Sequence, residues 1–337
     1  MANIILEKVI MGNDLSEEEM MTYLGEIMSG EKPEAEIASF LTALKIKGES
    51  VSEIVAGAKV LRAKAAPIDM GDLNTLDTCG TGGDSTGTYN ISTAVAIVSS
   101  AAGVPVVKHG NRSVSSKCGC ADVLEALGVK IDLSPEEVKA CVEEIGIGFL
   151  YAPTFHSAMR HVGPTRKHLG FRTIFNILGP LANPANATAQ VVGVFEPGLT
   201  EVFGQVLKEI GLKHVMVVHG KDGLDEITIT DETVVTELKD GKLKTYTIQP
   251  EDFGIKRGQL SDLAGGDVKL NAEILRQVLG GAQGPKRDIL LLNAGAALYV
   301  ADLVADIQAG IDLARQVIDD GLALAKLDDF IRRTNQS

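Results

Sequence analysis

The chain has no tryptophan, only 4% aromatic residues and no stretch of about 18 consecutive apolar residues. Spanning a bilayer requires such a stretch, and binding a single-stranded nucleic acid requires aromatic platforms on which bases stack. Neither a membrane nor a nucleic-acid partner is therefore expected. Positive charge is also short: 32 Lys and Arg against 45 Asp and Glu give a net −13. That balance repels a polyanion, yet it leaves room for a small phosphorylated ligand in a local basic pocket. Cysteine is confined to positions 79, 118, 120 and 141, with no paired CxxC motif and no Cys/His spacing of a zinc site, so reduced thiols are expected. Glu7 and Lys8 interrupt the short apolar start, so no secretory leader is expected and the protein reads as cytoplasmic.

What the chain does have is length, glycine and a change of rhythm. Its 337 residues suffice for one large or two ordinary domains, and the 45% hydrophobic share supplies an aliphatic core. The first 66 residues read as helices only. Ser16 with Glu19 and Ser50 with Glu53 form capping boxes, and Gly30, Pro33, Gly48 and Pro67 punctuate the ends. From Leu73 onward short apolar runs alternate with helical patterns. Strands are expected at 76–78, 104–107 (ending at Lys108), 147–151, 189–195 and 214–218, and helices at 93–102, 120–127, from Ser134, and at 199–210. The strand signal vanishes over 154–178, which reads as helices broken at Gly163-Pro164 and Gly170. Asp240-Gly241 turns an antiparallel hairpin over 233–248, and helices including 289–300 and 311–318 close the chain. The expected fold is α/β: a small all-helical domain at 1–70 with a discontinuous insertion at about 154–184, and a larger α/β domain at 71–153 and 185–337 whose mostly parallel central sheet is flanked by helices.

Chemistry concentrates between Asp77 and Cys120. Two polar, glycine-studded segments, 80–93 and 108–120, bracket an apolar helix and a short strand. Gly80, Gly82, Gly83 and Gly87 allow a backbone to wrap closely around an anion. A Walker A loop fails because Thr88 stands where its Lys belongs, and a dinucleotide fingerprint from Gly80 fails at Ser85. Asn90-Ile91-Ser92-Thr93 opens a helix, where N–H groups and the dipole favour an anion. Lys108 and Arg112 flank His109-Gly110-Asn111 at the end of a strand, where α/β proteins place ligands, and the hydroxyls of Ser113, Ser115 and Ser116 follow. Asp225-Glu226 is either a solvated pair or a hard oxygen site for Mg²⁺. Arg166, among Arg160, Lys167 and Arg172, is by itself one charge on a wet helix.

Three strings in this order and spacing, Gly80-Thr81-Gly82-Gly83-Asp84, Asn90-Ile91-Ser92-Thr93 and Lys108-His109-Gly110-Asn111-Arg112, resemble the anthranilate phosphoribosyltransferase family of tryptophan biosynthesis, one of the nucleoside phosphorylase/phosphoribosyltransferase-like proteins. The resemblance implies Mg²⁺-dependent transfer of the 5-phosphoribosyl group from 5-phosphoribosyl diphosphate (PRPP) to the amino group of anthranilate, releasing diphosphate. It implies PRPP binding by Gly80, Gly82, Gly83, Asp84, Thr88, Asn90, Ile91, Ser92, Thr93, Lys108, His109, Gly110, Asn111, Arg112, Ser113, Val114, Ser115, Ser116 and Cys120. Anthranilate falls to Gly80, His109, Asn111, His156 and Arg166, with Arg166 on its carboxylate, and the metal to Ser92, Asp225 and Glu226. No acid or base is assigned, because an aryl amine already carries an available lone pair. Cys120 departs from the small Ser or Gly more usual there, and Asp84, a carboxylate beside phosphates, has a role left open. The family implies a homodimer through the helical domain, with Ile4, Ile5 and Val9 as candidates for its face, and a hinge that closes the domains over both substrates. Two alternatives stand beside this reading: a pyrimidine nucleoside phosphorylase, against which Asp225-Glu226 and the 108–112 string speak, and a nucleic-acid-binding relative without catalysis, against which the acidic balance speaks.

Overall fold

The computed structural model describes residues 3–83, 86–113 and 117–336. It opens with four helices, α1 (Ile4–Ile10), α2 (Glu17–Met28), α3 (Glu34–Lys47) and α4 (Val51–Lys64), in which α1 packs on α3 and α2 on α4. Both expected capping boxes form. Glu19 N–H donates to Ser16 Oγ at 3.2 Å, and Ser16 N–H to Glu19 Oε2 at 2.7 Å. The second box does more than cap. Glu53 is fully buried, and its carboxylate also accepts from Lys47 Nζ at 2.9 Å and from Leu15 N–H at 3.0 Å, so it ties the starts of α2 and α4 to the end of α3. Of the three residues expected on a dimer face, Ile4 is exposed and Ile5 half-buried, whereas Val9 belongs to the core.

The chain then builds β1 (Leu76–Gly80), α5 (Ile91–Ala101), β2 (Val106–Gly110), α6 (Cys120–Leu127), α7 (Pro135–Ile145) and β3 (Ile147–Tyr151). The insertion follows, with α8 (Ala152–Phe155), α9 (Gly163–Leu169) and α10 (Phe175–Leu178) separated by tight turns; it packs against α2, α3 and α4. After it come β4 (Ala189–Gly193), α11 (Leu199–Glu209), β5 (His214–Gly220), the hairpin β6 (Thr233–Lys239) and β7 (Lys242–Ile248), and helices α12 (Val268–Leu279), α13 (Pro285–Val300), α14 (Ile307–Asp319) and α15 (Leu322–Thr334). The break read at Gly163-Pro164 is present: a helical turn over Ser157–His161 ends just before it and α9 starts at it, where proline's missing N–H is harmless. One local reading needs correction. The strand expected to end at Lys108 runs on to Gly110, so Lys108 and His109 are buried strand residues that alternate across the sheet.

The sheet order is β3-β2-β1-β4-β5-β6-β7, parallel from β3 to β5 and antiparallel in the terminal hairpin. From β1 the chain winds outward through β2 to β3, then returns to lay β4 on the other side of β1. The carboxyl ends of β1 and β4 therefore meet at a topological switch point, where adjacent connections diverge, the usual place for a ligand in such sheets. One face of the sheet packs on α5, α6 and α12 to α15, and the other shares an apolar core with α11, the insertion and the first four helices. Among the described residues no helix is long and apolar enough to cross a membrane.

Candidate active site

Beneath the switch point lies a buried polar floor. The Asp77 carboxylate of β1 accepts from His109 N–H of β2 (3.1 Å), Asn183 Nδ2 (2.9 Å) and Gln190 Nε2 of β4 (3.3 Å). Burial raises its pKa, opposed by the nearby Lys108 charge and these donors. Lys108, also buried, donates to the Thr78 carbonyl and, at 3.3 Å, to Ser92 Oγ. Its ammonium thus joins the end of β1 to the start of α5 and has a third N–H beyond these two bonds.

Above this floor the glycines do steric work. Gly80 of β1 pairs with Gly193 of β4, and a Cβ on either would collide with Asp225: with its carboxylate from Gly80, with its backbone from Gly193. Asp225 therefore lies directly over the ends of both strands, and its Oδ2 accepts from Gly82 N–H at 2.8 Å. The segment is anchored from below by Asn293 of α13, which is buried and holds the residue after Glu226 at both ends: Ile227 N–H donates to Asn293 Oδ1 (2.9 Å) and Asn293 Nδ2 donates to Ile227 C=O (2.8 Å). Among the described residues no cluster of three His, Cys, Asp or Glu forms a cage for a metal. The Asp225 carboxylate against the glycine loop, with Glu226 beside it in sequence, is a donor set compatible with Mg²⁺ nonetheless, since that ion takes one or two carboxylates and completes its shell with water and other oxygens.

The first glycine loop leads into α5, whose Asn90 gives its first turn no side-chain cap. Asn90 instead reaches the second loop, donating to Cys118 C=O at 3.2 Å and accepting from Cys118 Sγ at 3.4 Å. The side chains of Ile91 and Thr93 are buried. Thr88 bridges to Ala264. In the second loop Asn111 is exposed. Cys120 Sγ donates to Asn111 C=O at 3.3 Å and fills the space that a side chain at Gly110 would need, so the thiol is a packing element. Arg112 is engaged away from the loop: it chelates Glu125 (2.8 and 3.0 Å) and contacts Asp122 (3.1 Å), while Asp122 accepts from Ser113 N–H at 3.0 Å. Asp84, Val114, Ser115 and Ser116 lie outside the described residues.

The insertion brings the remaining candidates. The rings of His109 and His156 lie 5.0 Å apart. His109 bonds the Gly179 backbone and His156 that of Ala182, and burial holds their pKa values down to about 3 and about 4, so both are neutral imidazoles near pH 7. The Nε2 of each is buried without a partner among the described residues, and such orphans are rare enough to require an explanation. Arg166 of α9 is half-buried, its guanidinium carbon 5.5 Å from the centre of the Phe175 ring; burial lowers its pKa, and no carboxylate among the described residues offsets that. Arg172, which sequence reasoning passed over, donates to the Gly83 carbonyl. Gly193 and Asn293 were missed as well. Nothing local marks Gly193, the last residue of its strand, nor Asn293 or Arg172.

Similarity to known proteins follows the same division. The glycosyl transferase family α/β domain matches residues 72–324, and the helical bundle domain of that family matches residues 3–65. The chain is 55% identical over 330 residues to the anthranilate phosphoribosyltransferase of Acetivibrio thermocellus, covering 98% of this chain and 96% of the relative. The crystal structure of anthranilate phosphoribosyltransferase from Thermus thermophilus superposes with a TM-score of 0.93 at 42% identity, covering 98% of this chain and 99% of that one. The Saccharomyces cerevisiae enzyme in complex with PRPP and Mg superposes with a TM-score of 0.91 at 29% identity, covering 98% and 97%.

Proposed function

The chain belongs to the anthranilate phosphoribosyltransferase family, and we propose that it transfers the 5-phosphoribosyl group of PRPP to the amino group of anthranilate, giving N-(5-phosphoribosyl)anthranilate and diphosphate. The observation that carries the acceptor's identity is Arg166, a half-buried guanidinium over Phe175 with no carboxylate beside it among the described residues. A planar two-pronged cation beside an aromatic ring suits an aryl carboxylate.

Gly80, Gly82, Gly83 and the first turn of α5 receive the diphosphate, with Lys108 supplying its third N–H from the floor. Asp225, Glu226 and Ser92 would hold Mg²⁺, which would supply positive charge to the diphosphate oxygens. The leaving diphosphate gains charge as the ribosyl C–O bond breaks, so donors fixed in advance by the buried floor favour the transition state without reorganising. His109, His156 and Asn111 line the acceptor pocket with Arg166, and the two orphan imidazole nitrogens support polar contact there. Neither imidazole is a strong base near pH 7, which suits an amine that attacks through its own lone pair and a reaction accelerated by orientation. We also propose that residues 1–70 and 154–184 move together over the site, that the helical layer pairs two copies, and that the enzyme works in the cytoplasm.

Arg166→Ala tests the acceptor assignment. It is expected to weaken use of anthranilate by roughly 2–5 kcal/mol, about 30- to several-thousand-fold in kcat/KM, with the KM for PRPP little changed. If steady-state kinetics moved only the PRPP parameters, the assignment would be wrong.

A further inference from the structure

Arg172 ties the insertion to the glycine loop. It lies in the link from α9, which carries Arg166, to α10, which carries Phe175. Its guanidinium carbon sits 4.0 Å from the centre of the Phe195 ring, and its Nη2 donates to the carbonyl of Gly83 in the diphosphate loop. Gly83 has φ of +77°, and the space a side chain would take there is filled by this guanidinium. Phe195 is itself fastened to the loop: its N–H donates to Thr81 Oγ1 at 3.1 Å, and Thr81 N–H donates to Gly193 C=O at 2.9 Å. One planar cation thus stacks on an aromatic ring and donates in its own plane at the same time, a combination open to arginine and closed to lysine.

We propose that Arg172 is a positioning residue that couples the two subsites. By gripping Gly83 from the insertion, it makes order in the diphosphate loop and placement of the α9–α10 segment a single event. Occupation of the loop then strengthens binding of the acceptor, and by thermodynamic reciprocity the acceptor strengthens occupation of the loop. The proposal rests on the functional reading above.

Inorganic diphosphate with Mg²⁺ fills the loop without allowing turnover, so the test is a titration of anthranilate into the intact protein, with and without that filler, followed by the ligand's fluorescence. The native protein is expected to bind anthranilate at least about fivefold more tightly with the filler present, the lower end of ordinary site-to-site coupling. Arg172→Ala is expected to give the same dissociation constant in both conditions, and Arg172→Lys only part of the native ratio. Phe195→Leu removes the ring beneath the guanidinium; it is expected to reduce the ratio too, and it carries the test alone if Arg172→Ala does not fold. A merely structural role would shift both constants together and leave their ratio native, which would overturn the proposal. So would a native protein that binds both ligands independently. A native protein that binds neither ligand would remove the functional reading itself, and the proposal with it.

Discussion

A methyl group at position 193 would share space with the backbone of Asp225, so this glycine acts by what it lacks. Gly193→Ala must push the 225–226 segment off the ends of β1 and β4 or distort the strands beneath, an overpacking that typically costs about 1–3 kcal/mol. The expected result is a modest drop in melting temperature and a large loss of Mg²⁺-dependent PRPP binding by calorimetry; native binding would show that Asp225 need not sit there. His109 and His156 make a second prediction. Their pKa values are depressed by burial, so below about 6.5 the unfolded chain takes up protons that the folded chain refuses. Stability from these residues is present above pH 6.5 and falls as pH drops toward about 4 and then about 3. Thermal melts of His156→Gln against the native protein are expected to show a gap that narrows between pH 7 and pH 4, and a constant gap would contradict the burial argument. The glycine loop, the 108–112 string and the acidic pair were legible in sequence because each is a contiguous run. Gly193 and Arg172 were not, because each acquires its role from a residue tens to more than a hundred positions away.

Elements that carry their own start signals were read correctly. Ser16, Ser50 and Ser134 each cap a helix with a glutamate three residues on, a contact that needs no tertiary context. The Asp240-Gly241 hairpin is equally local. The run of β2 through Lys108 was harder to read, since burying a lysine depends on the Thr78 carbonyl and the Ser92 hydroxyl that receive it. Helix α13 shows an element acting on the site from beneath. Its Asn293 replaces a missing strand partner for Ile227, and Asn293→Leu would leave a buried N–H and C=O unpaired, at about 1–3 kcal/mol each. The Mg²⁺ concentration needed for half-maximal PRPP binding is expected to rise in that variant, while anthranilate binding alone stays near native. An unchanged Mg²⁺ requirement would mean that the acidic segment holds its place without the strut.

At the scale of the whole molecule, the parallel strands wind outward in opposite directions from β1 and β4, and the helical layer packs on one face of the sheet they form. The alternation of strand and helix made this topology legible, but the placement of the insertion against α2 to α4 rests on side-chain packing that no periodicity announces. The first helices also leave Ile4, Ile10, Met11 and Ile46 exposed, apolar side chains on the helical layer proposed above to pair two copies. Sedimentation equilibrium is expected to give a dimer that Ile10→Asp with Ile46→Asp converts to monomer without unfolding; a native monomer would reject that face as an interface. Phosphoribosyl transfer itself is read by following anthranilate fluorescence with the purified protein, PRPP and Mg²⁺. The signal is expected to be consumed only when all three are present, with stoichiometric diphosphate released. Anthranilate left unconsumed with PRPP and Mg²⁺ in excess would contradict the proposed transfer.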